Sequence, residues 1–219
     1  MSKGSRVLLL LVGSMVTVVG WASIASGQGS DYYPACDPIR TTNTILGSNG
    51  ANTLNGTTAA DLIIAFEGND VANGQANRDC LLMGRGNDRA TGGSDADHVF
   101  GEQGNDRVGG GSGDDVVDGD VGQDRVSGNS GDDRLDGFIG KDTVSGGPGD
   151  DRARGGSGDD RVKGGTGTDT MSGQSGDDRL NAVDQARDGS VNCGPGRDRA
   201  RVDRVDPVSR NCEIVVIVR

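Results

Sequence analysis

Small and apolar residues return every nine positions through the middle of the chain. The series is Ile63, Ala72, Leu81, Ala90, Val99, Val108, Val117, Val126, Leu135, Val144, Ala153, Val162, Met171 and Leu180. Two residues ahead of each stands an aspartate: Asp61, Asp70, Asp79, Asp88, Asp97, Asp106, Asp115, Asp124, Asp133, Asp142, Asp151, Asp160, Asp169 and Asp178, fourteen positions without a gap. Two residues ahead of the aspartate, glycine fills eleven of the fourteen positions and fails only at Ala59, Asn77 and Asp95. A phased pattern of this kind marks a repeat architecture. A nine-residue unit with one inward apolar residue has room for a tight turn and about three strand residues, whose neighbours face outward by strand alternation. Two units then make one coil of a flattened solenoid, with units n and n+2 stacked as parallel strands about 4.8 Å apart. The expected fold is all-β, a parallel solenoid of seven to eight eighteen-residue coils closed by small caps.

The pattern divides the chain. Residues 1–27 read as a secretory signal: Lys3 and Arg6 precede an apolar run from Val7 to Val19, and Ser23-Ile24-Ala25 offers small residues for cleavage. The run is interrupted by Gly13, Ser14, Thr17 and Gly20 and is short for a membrane span. Residues 28–46 form an N-terminal cap segment, 47–181 the repeat region and 182–219 a C-terminal cap. Asn43 and Asn52 hold the aspartate phase without its charge, as capping rungs would. Nine residues beyond Asp178 stands Arg187, where the ladder is expected to stop. Export makes the four cysteines a disulfide question with three formal connectivities. Cys193 and Cys212 lie close together beyond the repeats, which leaves Cys36 for Cys80. Zinc is disfavoured, because there is no Cys-x-x-Cys spacing and His98 is the only histidine.

Composition sharpens the chemistry. The chain has 40 glycines, a hydrophobic fraction of 32% and a net charge of −11. Such a chain cannot build a thick globular core, and its charge disfavours nucleic acid and anionic membranes as partners while suiting cations. Stacking places the aspartates in two columns, one on each edge of the solenoid, where like carboxylates one coil apart repel. A divalent cation between successive coils relieves this. It would use aspartate oxygens together with carbonyls exposed by the glycine turns, at Gly104, Gly113, Gly122, Gly131, Gly140, Gly149, Gly158, Gly167 and Gly176. Calcium fits such a flexible all-oxygen cage better than magnesium, which holds its water tightly. Neighbouring pairs give six sites on each edge. Those bordered by Ala59, Asn77 or Asp95 are expected to be the weakest.

The unit resembles the RTX nonapeptide G-G-x-G-x-D-x-U-x, a calcium-binding β-helix repeat. Residues 110–118, 146–154, 155–163 and 164–172 match it at every fixed position. The resemblance implies a right-handed β-roll with calcium in its turns. RTX proteins typically leave the cell through an uncleaved C-terminal signal, whereas this chain has an N-terminal one and cysteines. In that respect it is similar to secreted repeat proteins of high-GC Gram-positive bacteria, whose ends resemble Cys193-Gly194-Pro195-Gly196-Arg197-Asp198 and Cys212-Glu213.

The two outer faces differ. On one, Leu62, Ile64, Cys80, Leu82, His98 and Phe100 form an apolar patch, which the segment Tyr32-Tyr33-Pro34-Ala35-Cys36 can cover or a partner can occupy. On the other, Arg89, Arg107, Arg125, Arg161 and Arg179 form a stripe. It reads either as counter-charge for the aspartates or as a surface for acidic glycans. No enzyme is expected: His98 on an outward strand position has no positioned nucleophile beside it. The outcome is a secreted, extracellular calcium-binding module, with a cell-surface adhesin or glycan-binding module as the alternative.

Overall fold

The computed structural model describes residues 42–218, Cys36, and the backbone of two short strands, Leu8–Val12 and Met15–Val19, which pair antiparallel. The expected signal and N-terminal cap segments otherwise lie outside the described residues. No helix among the described residues is long and apolar enough to cross a membrane.

From Asn43 onward the chain is a parallel β-solenoid, and the eighteen-residue register is explicit. Arg107 lies opposite Arg125 and Val108 opposite Val126, while Val116 lies opposite Arg134 on the facing sheet. One sheet has ten strands, from Thr53–Asn55 to Ile214–Ile217, and the other has eleven, including the short Val121–Gly122 and Ile139–Gly140. That makes about ten coils rather than seven to eight.

The difference lies at the ends. Asn43–Leu46 pairs in register with Asp61–Ile64, so the asparagine rungs are full coils. Beyond Asp178 the ladder does not stop. Strand Ser190–Asn192 pairs with Thr170–Ser175, Arg199–Val202 with Arg179–Ala182, and Ile214–Ile217 with Arg199–Val202. The aspartate spacing changes there from nine residues to ten, placing Asp188 and Asp198 where strict counting by nine finds Arg187 and Gly196. One extra residue in a turn leaves the strands paired, so the stacking survives a slip that breaks the sequence phase.

The core is a double file of side chains. All fourteen phased apolar residues are buried, and Val191, Ala200 and Val202 continue the stack past the ladder. Each coil adds only two such residues, each contributing roughly 1.5–3 kcal/mol when the side chain is large. Their strand neighbours point outward, as Arg107 does beside buried Val108.

One stretch of outer face is buried instead. Leu62, Ile64 and Cys80 form a second cluster, against which Cys36, Phe66, Leu82 and Phe100 pack. Cys36 is bonded to Cys80, with Cα atoms 5.7 Å apart, and Cys193 to Cys212, at 5.1 Å. Both pairings are as expected. Tyr32 to Ala35 lie outside the described residues. His98 is not the surface residue its strand position suggested: it is 7% exposed, edge-on to Phe100, with Nε2 3.0 Å from Arg78 Nη2.

A file this thin has no redundancy. Leu135→Ala, at a fully buried position, is expected to cost about 2–4 kcal/mol in urea denaturation of the calcium-saturated protein. Val121→Ala, on an exposed side chain, is expected to change stability by less than about 0.5 kcal/mol.

Candidate metal-binding turns

Numbering the unit so that the ladder aspartate is sixth, positions 1 to 5 form each turn. The second position takes a left-handed φ in every unit from Phe66 to Gln174, including Glu102 at 68° and Asp120 at 68°. The fourth takes one too: Gly104, Gly113, Gly122, Gly131, Gly140, Gly149, Gly158, Gly167 and Gly176 have φ between 127° and 155°. Asn77 and Asp95 hold φ of 68° and 79° at that same position. Asparagine and aspartate tolerate this region better than most residues. Those turns therefore keep their shape without glycine, and the geometric ground for ranking their sites weakest is not met.

The first position is glycine in every unit of the ladder except those of Asp70 and Asp88, where Ala65 and Met83 stand, and the glycine serves close packing rather than an unusual backbone angle. Its backbone angle is ordinary, yet a Cβ on it has nowhere to go. On Gly101 it would sit 2.8 Å from both Asp106 Oδ2 and the Gly119 carbonyl oxygen. On Gly155 it would sit 2.6 Å from Asp160 Oδ2 and 2.8 Å from the Gly173 carbonyl oxygen. At these two glycines the missing Cβ thus leaves a hollow flanked by a carboxylate oxygen and the carbonyl oxygen of the next coil.

The aspartates are tied into two columns. The N–H of Asp61 donates to Asp79 Oδ1 at 2.8 Å, that of Asp79 to Asp97 at 2.7 Å, and that of Asp97 to Asp115 at 2.8 Å. The column continues through Asp133, Asp151 and Asp169 to Asp188. On the opposite edge Asp70, Asp88, Asp106, Asp124, Asp142, Asp160 and Asp178 are linked likewise, ending at Asp198. Asp198 N–H in turn donates to Glu213 Oε2 at 2.7 Å.

One oxygen of each carboxylate is thereby spent. The other is not: Oδ2 of Asp70, Asp79, Asp88, Asp97, Asp106, Asp115, Asp124, Asp133, Asp142, Asp151, Asp160, Asp178, Asp188 and Asp198 is buried without a hydrogen-bond partner. No ladder aspartate from Asp61 to Asp178 is more than 2% exposed. Asp61, at the end of its column, is different, because Thr57 N–H bonds its Oδ2 and Asn43 Nδ2 bonds its Oδ1. Among the described residues no three His, Cys, Asp or Glu side chains converge on one point. A cation here must draw on carboxylate and backbone carbonyl oxygens together, the donor chemistry of calcium. The fourth-position carbonyls of Gly113, Gly131, Gly149, Gly158, Gly167 and Gly176 are acceptors in none of the turn-to-turn backbone bonds.

Burial dominates the acidity of the columns. It pushes the carboxyl pKa up, against the pull of the N–H bonds and with help from neighbouring carboxylates. Asp97 reaches about 8, with Asp115, Asp79 and Asp95 all adding repulsion. Asp106, Asp133, Asp142, Asp160 and Asp169 reach about 7, and Asp79, Asp88, Asp115, Asp124 and Asp178 about 6.

Three features escaped the nine-residue count. The first is the rungs at Asp188, Asp198 and Glu213; the signal for them was the Gly-x-Gly-x-Asp run of Cys193–Asp198, displaced from phase. The second is a fifth-position ladder running the other way, in which Asp132 N–H donates to Asp114 Oδ1 and Asp150 N–H to Asp132 Oδ1. Asn69, Asn87, Asn105 and Gln123 build the same chain on the opposite edge. The third is Asp118 and Asp136, buried at outward strand positions beside Arg154, whose guanidinium lies 3.9 Å from Asp136. Burial drives Asp118 well above the ordinary range. Asp118 and Asp136 are one eighteen-residue coil apart and opposite each other, but the nine-residue pattern does not include them.

Fold and turns define a repeat protein whose stacked β-coils carry oxygen-donor columns along both edges. The chain belongs to the RTX calcium-binding nonapeptide repeat family: four copies match, at residues 46–79, 84–117, 118–153 and 145–180, together more than half of the chain. No curated protein matches it.

Two outcomes follow from the turns. In chelator, carboxyls whose pKa is raised above 3.8 favour the fold when protonated. They stabilise it fully below pH 4, and that stability drains away as pH rises through 6 to 8. Metal-free protein should therefore show more β-signal by circular dichroism at pH 4.5 than at pH 8. Separately, Gly110→Ala drives a Cβ into Asp115 Oδ2, whereas Gly109→Ala meets only the Asn129 amide at 3.3 Å and the Ser127 carbonyl at 3.6 Å. Melting of the calcium-loaded variants should show the first strongly destabilised and the second close to the parent.

Proposed function

We propose that the protein is a secreted calcium-binding module that folds as its turns fill. The observation that carries this reading is the buried, unpartnered Oδ2 repeated in coil after coil. Leaving an ionised carboxylate oxygen dry and unpaired costs several kcal/mol, and fourteen such costs exceed what a two-file core can offset. Calcium, when bound, supplies the missing positive charge and takes oxygen ligands. The residues we assign to it are the ladder aspartates Asp61 to Asp178, with the fourth-position glycine carbonyls from Gly104 to Gly176. Asp188, Asp198 and Glu213 extend the proposed donor columns past Asp178.

Export is supported by the basic and apolar start of the chain and by the two disulfides, which belong to oxidising compartments. We assign no catalytic role. His98 is buried beside an arginine and a phenylalanine, a packing arrangement rather than a nucleophile–base pair.

The test is a titration of the mature chain followed by circular dichroism and calorimetry. Calcium should raise β-content steeply from a largely disordered chelated state, with magnesium far less effective; a chelated protein already folded at neutral pH would refute the reading. Because the Asp97 turn keeps its shape and adds the nearby carboxylate of Asp95, Asp97→Asn and Asp160→Asn should lower calcium stoichiometry by similar amounts.

A further inference from the structure

The arginine stripe is not spent on the aspartates. Arg85–Glu67, Lys141–Asp159 and Arg154–Asp136 are ion pairs, whereas none of Arg89, Arg107, Arg125, Arg161, Arg179 and Arg199 takes part in one, although Arg179 feels the charge of the exposed Asp159. All six side chains are exposed. They stand in register on the ten-stranded sheet, Arg89 opposite Arg107, Arg107 opposite Arg125, Arg161 opposite Arg179 and Arg179 opposite Arg199, with Thr143 the one gap. In the C-terminal coils a second basic file runs beside the first. Lys163 and Arg201 lie two residues along their strands from Arg161 and Arg199, flanking Asn181, and a shallow groove runs between the files.

Cations stacked one coil apart repel each other in the folded protein. Guanidinium groups are weakly hydrated forks that pair readily with carboxylates and similar anions. The geometry points to a binding surface for a linear acidic polysaccharide lying along the solenoid axis. Three observations select that class. Successive guanidiniums rise by about 4.8 Å, comparable with one sugar unit of an extended chain, so an acid group on every sugar meets each arginine and one on every second sugar meets alternate arginines. The strands of this face, Thr143–Pro148, Arg161–Thr166, Arg179–Ala182 and Arg199–Val202, hold no aromatic residue, so single-stranded nucleic acid finds no platform for its bases. Finally, exposed Asp159 and Asp177 stand two residues ahead of Arg161 and Arg179. A broad anionic object such as a duplex or a membrane would press its charge against those carboxylates. A narrow chain running along the arginine column does not.

The experiment uses the mature, calcium-loaded protein and hyaluronate oligosaccharides, which carry one carboxylate per disaccharide and do not gel with calcium. Binding is followed by calorimetry at several salt concentrations. The triple variant Arg161→Gln, Arg179→Gln, Arg199→Gln should bind roughly tenfold or more weakly, with the slope of log affinity against log salt reduced by about two. A control losing the same charge elsewhere, Arg152→Gln, Arg187→Gln, Arg210→Gln, should bind like the parent. Circular dichroism with calcium confirms that each variant is folded, which separates failure of this surface from failure of the calcium reading. If the triple variant does not fold, Arg179→Gln alone should still weaken binding measurably. Absence of binding, equal binding by the triple variant and the parent, equal binding of neutral dextran, or tighter binding of oligothymidylate than of hyaluronate would each overturn the proposal.

Discussion

Everything in this molecule leans on how a buried carboxylate is satisfied. From Asp79 and Asp88 onward each ladder aspartate accepts the amide N–H of the aspartate one coil earlier through Oδ1, and that bond locks successive coils at both edges. The same bond turns Oδ2 inward, where it finds no donor. The turn is built around this half-satisfied group. First-position glycines vanish as side chains to make room for Oδ2, and second and fourth positions swing to positive φ to carry the chain round it. The interior has little else to offer, since one apolar residue per unit leaves a core only two side chains across. Cohesion then rests on the edges, and the edges rest on neutralising charge.

The ends show the same constraint met by other means. At the N-terminal end Asn43 replaces an aspartate, and Thr57 supplies a donor to Asp61 Oδ2, so that rung is satisfied by the protein alone. At the C-terminal end the ladder finishes on Glu213, beside Cys212. Cys193 stands where other turns place the first-position glycine, and its bond to Cys212 ties the last coils together. Terminal coils of a solenoid have a neighbour on one side only; a covalent tie and neutral rungs suit them.

The outer faces are free of these demands and have diverged. One buries Leu62, Ile64 and Cys80 against Cys36, giving the N-terminal coils an apolar outer face. The facing sheet presents a row of exposed arginines that form no ion pair and that ends near the C-terminal disulfide. The stacked coils thus act as a ruler, holding whatever they display at a fixed spacing.

Much of this was legible from the chain alone. Period nine, the aspartate column, the inward apolar file and both disulfide pairings follow from residue spacing, because a solenoid's long-range contacts are a fixed sequence offset repeated many times. Where the offset stays constant, one-dimensional counting is three-dimensional geometry. It fails where a turn gains a residue: Asp188, Asp198 and Glu213 left the count but kept their places, because strand pairing, not sequence phase, decides which carboxylate meets which amide. Spacing also could not say why position 1 is glycine, since the reason is an oxygen from five residues onward occupying the space of its Cβ. Nor could it say whether the arginines were spent. Arg161 and Arg179 are adjacent in sequence to ladder carboxylates, yet strand alternation turns the guanidiniums to solvent and the turn folds the carboxylates inward, out of each other's reach.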